Sequence, residues 1–412
     1  MSDTEKTPFF PGWLFLLAML TALSPLSVDL YLPAFPSIGQ SLGVESSDVQ
    51  ITLAIFLLGM SLGQLLYGPL SDRYGRKPPL YVGLALYIAA SLGCMLANDL
   101  TTLTASRFLQ ALGGSAGVVI CRAVIRDRTT TAQAAWAFSM LMLALGLAPI
   151  LAPMVGGLLL MVMGWRGIFA VLAGVGLVLL LSMHFSMRET LSRHTSERLG
   201  VRGTFRRYGS LLGNGQFMMY VLIGALPFGG MFAYIAGSPY VIIELYGVPA
   251  EHFGWFFGIN AFGMIAGSQF NARLVARFGP ATMLKYVIRV PVVAALTGLV
   301  ATLLDVASLP LLMICFFVYM TSMGLLTPNA VALAMANEGH RAGSASAIMG
   351  SIQFLLGTCG AAAVSIWTMP SAVPLTGVML LLSGGSLLIH QFGHRRDILI
   401  RHGSDIEQPT QQ

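Results

Sequence analysis

The run Gly68-Pro69-Leu70-Ser71-Asp72-Arg73-Tyr74-Gly75-Arg76-Lys77-Pro78 is a short polar turn between two long apolar stretches, 49–70 and 78–97. Each flank matches the ~20 residues that a helix needs to cross a bilayer core. Three cations sit in the turn, and loops rich in Lys and Arg stay on the cytosolic side. The two flanks therefore read as antiparallel spanning helices whose connection faces the cytosol. Asp72, at a helix end beside these cations, suits a charge latch that holds a cation from a neighbouring helix in one state and releases it in another. Topogenic charge plus a glycine turn accounts for the same residues, and composition does not choose between the two.

The whole chain repeats this pattern. It has 412 residues, 56% of them hydrophobic and 10% charged, with a mean hydropathy of +0.76. Soluble domains carry about 25% charged residues, so this chain has too few to cover itself with a water-facing surface. Runs such as Val171 to Leu181 are apolar on every face, unlike the alternating strands of an outer-membrane barrel. Hydrophobic runs predict twelve spans at 12–34, 49–70, 78–97, 101–123, 132–159, 165–186, 216–243, 252–274, 281–303, 308–334, 342–366 and 372–392. Little chain is left for a soluble catalytic domain. The segment from Met1 to Pro11 has no cleavage-site pattern after the first apolar run, which reads as a retained helix. Cys94, Cys121, Cys315 and Cys359 stand singly in apolar runs, without the spacing of a metal site or disulfide framework.

Charge sets the expected topology. Arg73, Arg76, Lys77, Arg126, Arg128, the basic run Arg188 to Arg207, Arg273, Arg277, Arg341 and the tail arginines fall on one side. The other side holds Arg166 with Glu45, Asp48, Asp99, Glu244, Glu251 and Asp305. This asymmetry puts both termini in the cytosol, as for a multi-pass protein of a bacterial inner membrane. Insertion and anionic lipid account for the net charge of +6, so no nucleic-acid partner is expected. The polar stretch from Arg188 to Gln216 separates two halves of six spans. The expected division is an N-terminal bundle over 1–187, a linker over 188–215, a C-terminal bundle over 216–394 and a tail over 395–412. Asp72-Arg73-Tyr74-Gly75 returns as Ala276-Arg277-Phe278-Gly279, a faint internal repeat of the kind secondary transporters carry.

Several chemistries are missing. No lysine follows a glycine, so there is no phosphate-binding loop and no ATP hydrolysis by this chain. Gly113-Gly114-Ser115-Ala116-Gly117 spells the string of a serine-hydrolase elbow, but that elbow needs a strand-to-helix turn, and this string lies within a spanning helix. Small residues four apart explain it as helix packing. An intramembrane hydrolase using Ser115 is the distant alternative, and no cofactor, metal or enzymatic activity is expected.

Ionisable residues within spans are functional candidates by default, because each costs roughly 2.5–3.5 kcal/mol on insertion scales. Asp29 and Arg107 stand out. At ~1.5 Å per residue they lie about 7 and 9 Å below the outer ends of the first and fourth spans. If both face one cavity they can pair, and a proton would compete with the arginine for the carboxylate. A structural ion pair is the other reading. Pro33 leaves the Asp29 carbonyl without a helical donor, and Pro25 is expected to break the same helix one turn earlier.

The 68–78 run resembles the cytoplasmic G-x-L-[SA]-D-R-x-G-R-[KR]-P motif of the major facilitator superfamily. Arg107-Phe108-Leu109-Gln110-Ala111-Leu112-Gly113 is similar to its R-x-x-Q-G-x-G segment, with Ala111 in place of glycine. That resemblance implies a part for Arg107 in proton coupling. Ala148-Pro149-Ile150-Leu151-Ala152-Pro153-Met154-Val155-Gly156-Gly157 resembles the antiporter motif G-P-x-x-G-G of exporters, with Ala152 replacing its first glycine. Asp29-Leu30-Tyr31-Leu32-Pro33-Ala34-Phe35-Pro36 resembles the D-x-Y-L-P-A-x-P signature of the Bcr/CflA group of twelve-helix drug:proton antiporters. Trp165-Arg166-x-Ile168-Phe169 agrees with it.

The resemblance implies an all-α membrane protein, twelve transmembrane helices in two pseudo-symmetric six-helix bundles that rock about a midplane cavity. It implies export of small amphipathic drugs in exchange for protons, with Asp29 and Arg107 coupling them. Gly68, Asp72, Arg73, Gly75 and Arg76 would form the latch, and Pro149, Pro153, Gly156 and Gly157 the antiporter motif. Candidate cavity residues are Tyr31, Gln64, Gln110, Phe228, Phe232, Trp255, Asn260, Met264, Asn329 and Gln353, since methionine, aromatics and a few polar groups suit varied apolar ligands. Helix packing explains each of them as well. The expected partners are a drug, the proton and membrane lipid, with a monomer as the working unit. A narrow-range metabolite exporter or a proton-linked importer uses the same fold. A passive channel lacks a charged ring or filter loop.

Overall fold

The computed structural model describes residues 12–129, 131–190, 201–338, 341–367 and 369–406. Among them all regular structure is helical. Helix α1 (Gly12–Asp29) runs on through Pro25 rather than breaking there. It stops at Asp29, where Pro33 removes the next donor. A three-residue 3-10 turn, Leu32–Ala34, then leads into α2 (Phe35–Leu42). The first span is thus composite and reaches Leu42, eight residues beyond the expected end. Helices α3 (Ser46–Tyr74), α4 (Lys77–Leu96) and α5 (Leu100–Arg128) follow as predicted. Glu45 and Asp48 cap α3 reciprocally, and Asp99 caps α5 by accepting the Thr102 N–H at 2.7 Å.

Spans five and six form one continuous helical stretch, α6 (Thr131–Ser186), interrupted at Gly164 with φ of 67°. The chain reverses there. Beyond the bend, Arg166 bonds the Ala97 carbonyl at one end of α4, and His184 meets Tyr81 near the other. The polar stretch between the halves contains α7 (Val201–Leu212). The second half comprises α8 (Gly215–Pro239), α9 (Phe253–Phe278), α10 (Pro280–Val287), α11 (Arg289–Leu303), α12 (Leu309–Met335), α13 (Ala342–Ile366) and α14 (Val373–Ile406). A π turn, Tyr240–Leu245, prolongs α8. Helix α14 extends through much of the segment expected as a tail.

Among the described residues ten segments are long and apolar enough to cross a membrane, and the doubled Leu145–Ser186 counts as one of them. Resolving it into two spans gives eleven. The twelfth is α9, whose apolar character is diluted by Gln269, Asn271, Arg273 and Arg277 near its end. The chain is a multi-pass membrane protein. Alternation of the spans gathers Arg76, Asp127, Glu189 and Arg341 on one face, called the basic face below, and Glu45, Asp99, Glu244 and Glu251 on the other.

The halves meet along two seams. In one, α3 packs on α13. There Ser61 Oγ lies 2.9 Å from Ser351 Oγ and donates to the Ser351 carbonyl at 2.8 Å, while nearer the acidic face Ser365 Oγ donates to the Ser47 carbonyl at 2.8 Å. In the other, α6 packs on α9, where Gly254 admits the Met154 backbone and Gly157 lies against Glu251. Small residues let helices approach where lipid supplies no hydrophobic drive. On the basic face α7 packs Tyr208 and Leu211 against Ala345 and Ile348 of α13, and Tyr208 also reaches Leu65 of α3. The linker helix thus touches both halves.

Candidate functional site

Arg107 is the largest fully buried side chain, at 0% exposure. Its guanidinium lies over three rings brought by three different elements. The Cζ atom is 4.2 Å from the centroids of both Tyr31 and Phe56 and 5.7 Å from that of Phe169. Aromatic faces offer negative charge to a cation, each worth ~0.5–2 kcal/mol, more when water is excluded. Nη1 donates to Gln110 Oε1 at 2.5 Å, one helical turn along α5. Gln110 Nε2 in turn donates to Ser91 Oγ at 2.8 Å. Tyr31 is held through its hydroxyl to Thr52 at 3.1 Å, and Tyr87 through its own to Ser27 at 2.6 Å. Nε and Nη2 of Arg107 have no partner. Each unmade buried hydrogen bond costs about 1–3 kcal/mol, more on a charged group, so the cage holds a cation with donors to spare.

Asp29 lies two residues before Tyr31, at the end of α1, and is 4% exposed. The expected ion pair with Arg107 is not formed. Ion pairs among the described residues are Asp72–Arg76, Asp127–Arg76 and Glu338–Arg341. Asp29, at the end of α1, and Arg107, on α5, are both buried in the first half, and no hydrogen bond or ion pair joins them.

Next to this region stands the proline-glycine stretch of α6. Gly156 faces the Leu30 carbonyl, where a Cβ would collide with it. Pro153 is buried and Pro149 half-buried. Gly156 thus sets α6 against the residue that follows Asp29, while Met154 meets Gly254 of α9 and Gly157 meets Glu251 just before that helix. One helix touches the acid-bearing segment and the second half together.

The 68–78 run forms a closed network on the basic face. The buried Arg76 donates through Nε to Asp127 Oδ2 at 2.8 Å, and through Nη1 to Asp72 Oδ1 at 2.6 Å and Ser71 Oγ at 3.0 Å. Burial opposes its charge, but the bonds to Asp127 and Asp72 outweigh burial and hold its pKa above the ordinary arginine value. Glu189 caps α4 by accepting the N–H groups of Arg76 at 2.9 Å and Lys77 at 3.0 Å. Gly75 has φ of 94°, and the Glu189 carboxylate occupies the space a Cβ would need. Gly68 lies beside Tyr208 of α7, and Arg73 stacks on Tyr74. Asp72 holds a cation of its own turn here. Asp127 and Glu189 are not among the candidate site residues of the sequence. Asp127 stands between Arg126 and Arg128, where the arginines dominate a charge count, and only the fold shows that it points at Arg76.

The candidate cavity residues separate. Tyr31 and Gln110 belong to the arginine cage. Phe228 and Phe232 join Phe354 in an aromatic cluster with centroids 5.1–6.0 Å apart. Phe232 also meets Gly357 on the α13 side, near Leu57 of α3. Gln64 is buried against Gly350 in the seam between the halves, and Gln353 and Met264 are half-buried. Three further candidates stand apart from that cluster. Trp255 is 62% exposed in an apolar stripe with Ile259 and Phe262, the surface a span turns to lipid. Asn260 donates its amide N–H to the Tyr234 hydroxyl at 2.6 Å, leaving its Oδ1 buried without a partner. Asn329 is spent on Asn271 at 2.6 Å, tying α12 to α9. Ser115 is buried and donates to the Leu112 carbonyl, tight against Gly63, so the hydrolase-like string is helix packing.

The sequence pattern of the Major Facilitator Superfamily matches residues 17–362. An uncharacterised MFS-type transporter of Bacillus subtilis is 39% identical over 370 residues, covering 89% of this chain and 91% of the relative. A bicyclomycin resistance protein homologue of Haemophilus influenzae is 32% identical over 400 residues, covering 97% and 100%. A chloramphenicol resistance protein of Pseudomonas aeruginosa is 29% identical over 379 residues, covering 89% and 87%. Among solved structures, a bacterial homologue of the human lysosomal transporter Spinster in an inward-facing, occupied conformation superposes with a TM-score of 0.71 at 15% identity, covering 92% of this chain and 95% of that one. The xylose transporter XylE of Escherichia coli, partially occluded and inward open, gives 0.69 at 14% identity, covering 93% and 98%. The twelve spans, the two seams, the 68–78 network and these matches have one conclusion: this chain belongs to the major facilitator superfamily.

Proposed function

We propose that this protein exports small amphipathic drugs from the cytosol in exchange for protons, with the basic face and both termini in the cytosol. The observation that supports the reading is a carboxylate, Asp29, buried at the end of α1 two residues before Tyr31 of the Arg107 cage, beside a helix that also contacts the second half. An ionised Asp29 attracts Arg107, whose Nε and Nη2 are free to receive it. A protonated Asp29 does not, and Arg107 rests on Tyr31 and Phe56. Exchange of the proton thus changes how α1 sits against α5. Gly156, in contact with Leu30, passes that displacement to α6 and so to the seam with α9. The antiporter stretch Pro149, Pro153, Gly156 and Gly157 supplies the close contact this needs. Gly68, Asp72, Arg73, Gly75 and Arg76, with Asp127 and Glu189, steady the cytosolic end of the first half.

Relatives named for bicyclomycin, chloramphenicol and multidrug resistance support drugs as the solute class. The aromatic cluster of Phe228, Phe232 and Phe354, with Gln353 near it, supplies an apolar contact surface beside a few polar groups. Each proton moving inward at 100 mV releases ~2.3 kcal/mol from the potential alone, enough for roughly a fiftyfold gradient. The test is accumulation of chloramphenicol or another amphipathic drug in inverted vesicles carrying the protein, under an acid-inside gradient. Accumulation that collapses with a protonophore and is absent in Asp29→Asn is expected. Gradient-independent movement, or full uphill transport by Asp29→Asn, would overturn the reading.

A further inference from the structure

We infer that the acidic face carries a separate binding site for an amphipathic organic cation, in a cavity of about 520 Å³ where the two halves meet. The first half contributes Glu45 and Gln50 to its lining, and the second contributes Tyr240, Glu244, Trp367 and Met369. None of the lining residues is basic, so the two carboxylates are not neutralised within the cavity. Glu244 is exposed and has no hydrogen-bond or ion-pair partner among the described residues. Glu45 is partly engaged by the start of α3, taking the Ser47 hydroxyl at 3.1 Å. Its charge remains available on the cavity side.

A cluster of acids alone could be ordinary surface charge, and Gln50 argues otherwise. It is 2% exposed, lines the cavity, and its Oε1 has no donor. A buried acceptor in that condition calls for an N–H or O–H from whatever fills the space. Tyr240, Trp367 and Met369 line the same space, and the last two are each 44% exposed. Such a wall suits an apolar body and is a poor neighbour for a hydrated metal ion. Two carboxylates, one open acceptor and an aromatic wall together describe a protonated amine on an aromatic or aliphatic frame. The volume falls in the range of small-molecule pockets, roughly 300–1,000 Å³. Beside the cavity the Ser365 hydroxyl bonds the Ser47 carbonyl, so a cation held by Glu45 and Glu244 would bridge the halves where they already touch. Neither Asp29 nor Arg107 lines this cavity, and binding here is measured without transport, so the site stands or falls separately from the exporter reading.

The test uses the full chain in lipid nanodiscs, with Cys359→Ser to remove the exposed native thiol and Met369→Cys as a reporter. The rate at which a maleimide modifies the reporter is measured against added phenylpropylammonium, its trimethylated analogue, and neutral phenylpropanol. Phenylpropylammonium is expected to slow modification saturably, and phenylpropanol to have no effect at the same concentrations. Glu244→Gln should raise the half-effective concentration about fivefold, the upper range for one partly exposed charge, and adding Glu45→Gln should raise it further. Gln50→Leu should weaken the primary ammonium but not the trimethylated compound, which has no N–H to give. Unliganded modification rates verify that each variant keeps the cavity. Equal slowing by phenylpropanol, indifference to both glutamates, or protection by magnesium in place of the amine would each overturn the site.

Discussion

Arg107 is held by rings rather than by an acid, and that has measurable consequences at the scale of single side chains. A guanidinium is flat and weakly hydrated and can lie on two faces at once, whereas an ammonium is a compact, strongly hydrated point charge. Arg107→Lys preserves the charge but loses both the stacking and the bond geometry to Gln110. It is expected to cut proton-driven drug uptake into inverted vesicles to near background while the protein still folds. Phe56→Ala should act through stability. Phe56 is 1% exposed and faces the guanidinium, so its removal opens a cavity and deletes one cation–π contact, together about 3 kcal/mol. The check is a clear fall in Tm in detergent relative to an exposed-surface control such as Phe185→Ala. An unchanged Tm would mean that Phe56 does not support the cage.

Contacts between elements explain why some of the site was legible before the fold and some was not. Pro33 announced the break after Asp29, because a missing N–H has a fixed reach along the chain. Pro25 was misleading in the same helix, since α1 tolerates it without ending. The apolar runs gave the number of spans, and the asymmetry of Lys and Arg gathered its cations at one end of them. The cage could not be read this way: Tyr31, Phe56 and Phe169 are far apart in sequence, and nothing in an aromatic residue marks it as a cation's neighbour. The same holds for Asp127 beneath Arg76. Energetically the two acids on Arg76 differ, because the Asp72 side chain is 66% exposed and that of Asp127 17%. Asp127→Asn should therefore cost roughly 2 kcal/mol, as for a charged hydrogen bond out of water, and Asp72→Asn less than about 1 kcal/mol. Thermal unfolding of the two variants in detergent tests the order, and equal losses would refute it. Gly156→Val examines the neighbouring contact. Its side chain has no room against the Leu30 carbonyl, so α6 must move from α1, and gradient-driven uptake is expected to drop sharply with protein still present in the membrane.

At the scale of the whole molecule, exchange of solute between two sides requires the halves to part along a seam, and the α3–α13 seam offers a direct way to forbid it. Ser61 and Ser351 face each other with their oxygens 2.9 Å apart, close to the separation a disulfide needs after a small side-chain adjustment, its S–S bond being about 2.05 Å. Replacing both by cysteine leaves the volume nearly unchanged and adds a bond that can be made or broken at will. Native Cys94, Cys121 and Cys315 are buried, and Cys359 is exposed on α13, so Cys359→Ser provides a clean background. Under oxidation the Ser61→Cys/Ser351→Cys protein should lose uphill drug uptake, and a reductant should restore it. Each single variant should transport normally under both conditions. Continued transport by a fully cross-linked protein, with the bond verified by mass, would mean that the halves do not separate here, and the rocking mechanism would have to place its moving boundary elsewhere.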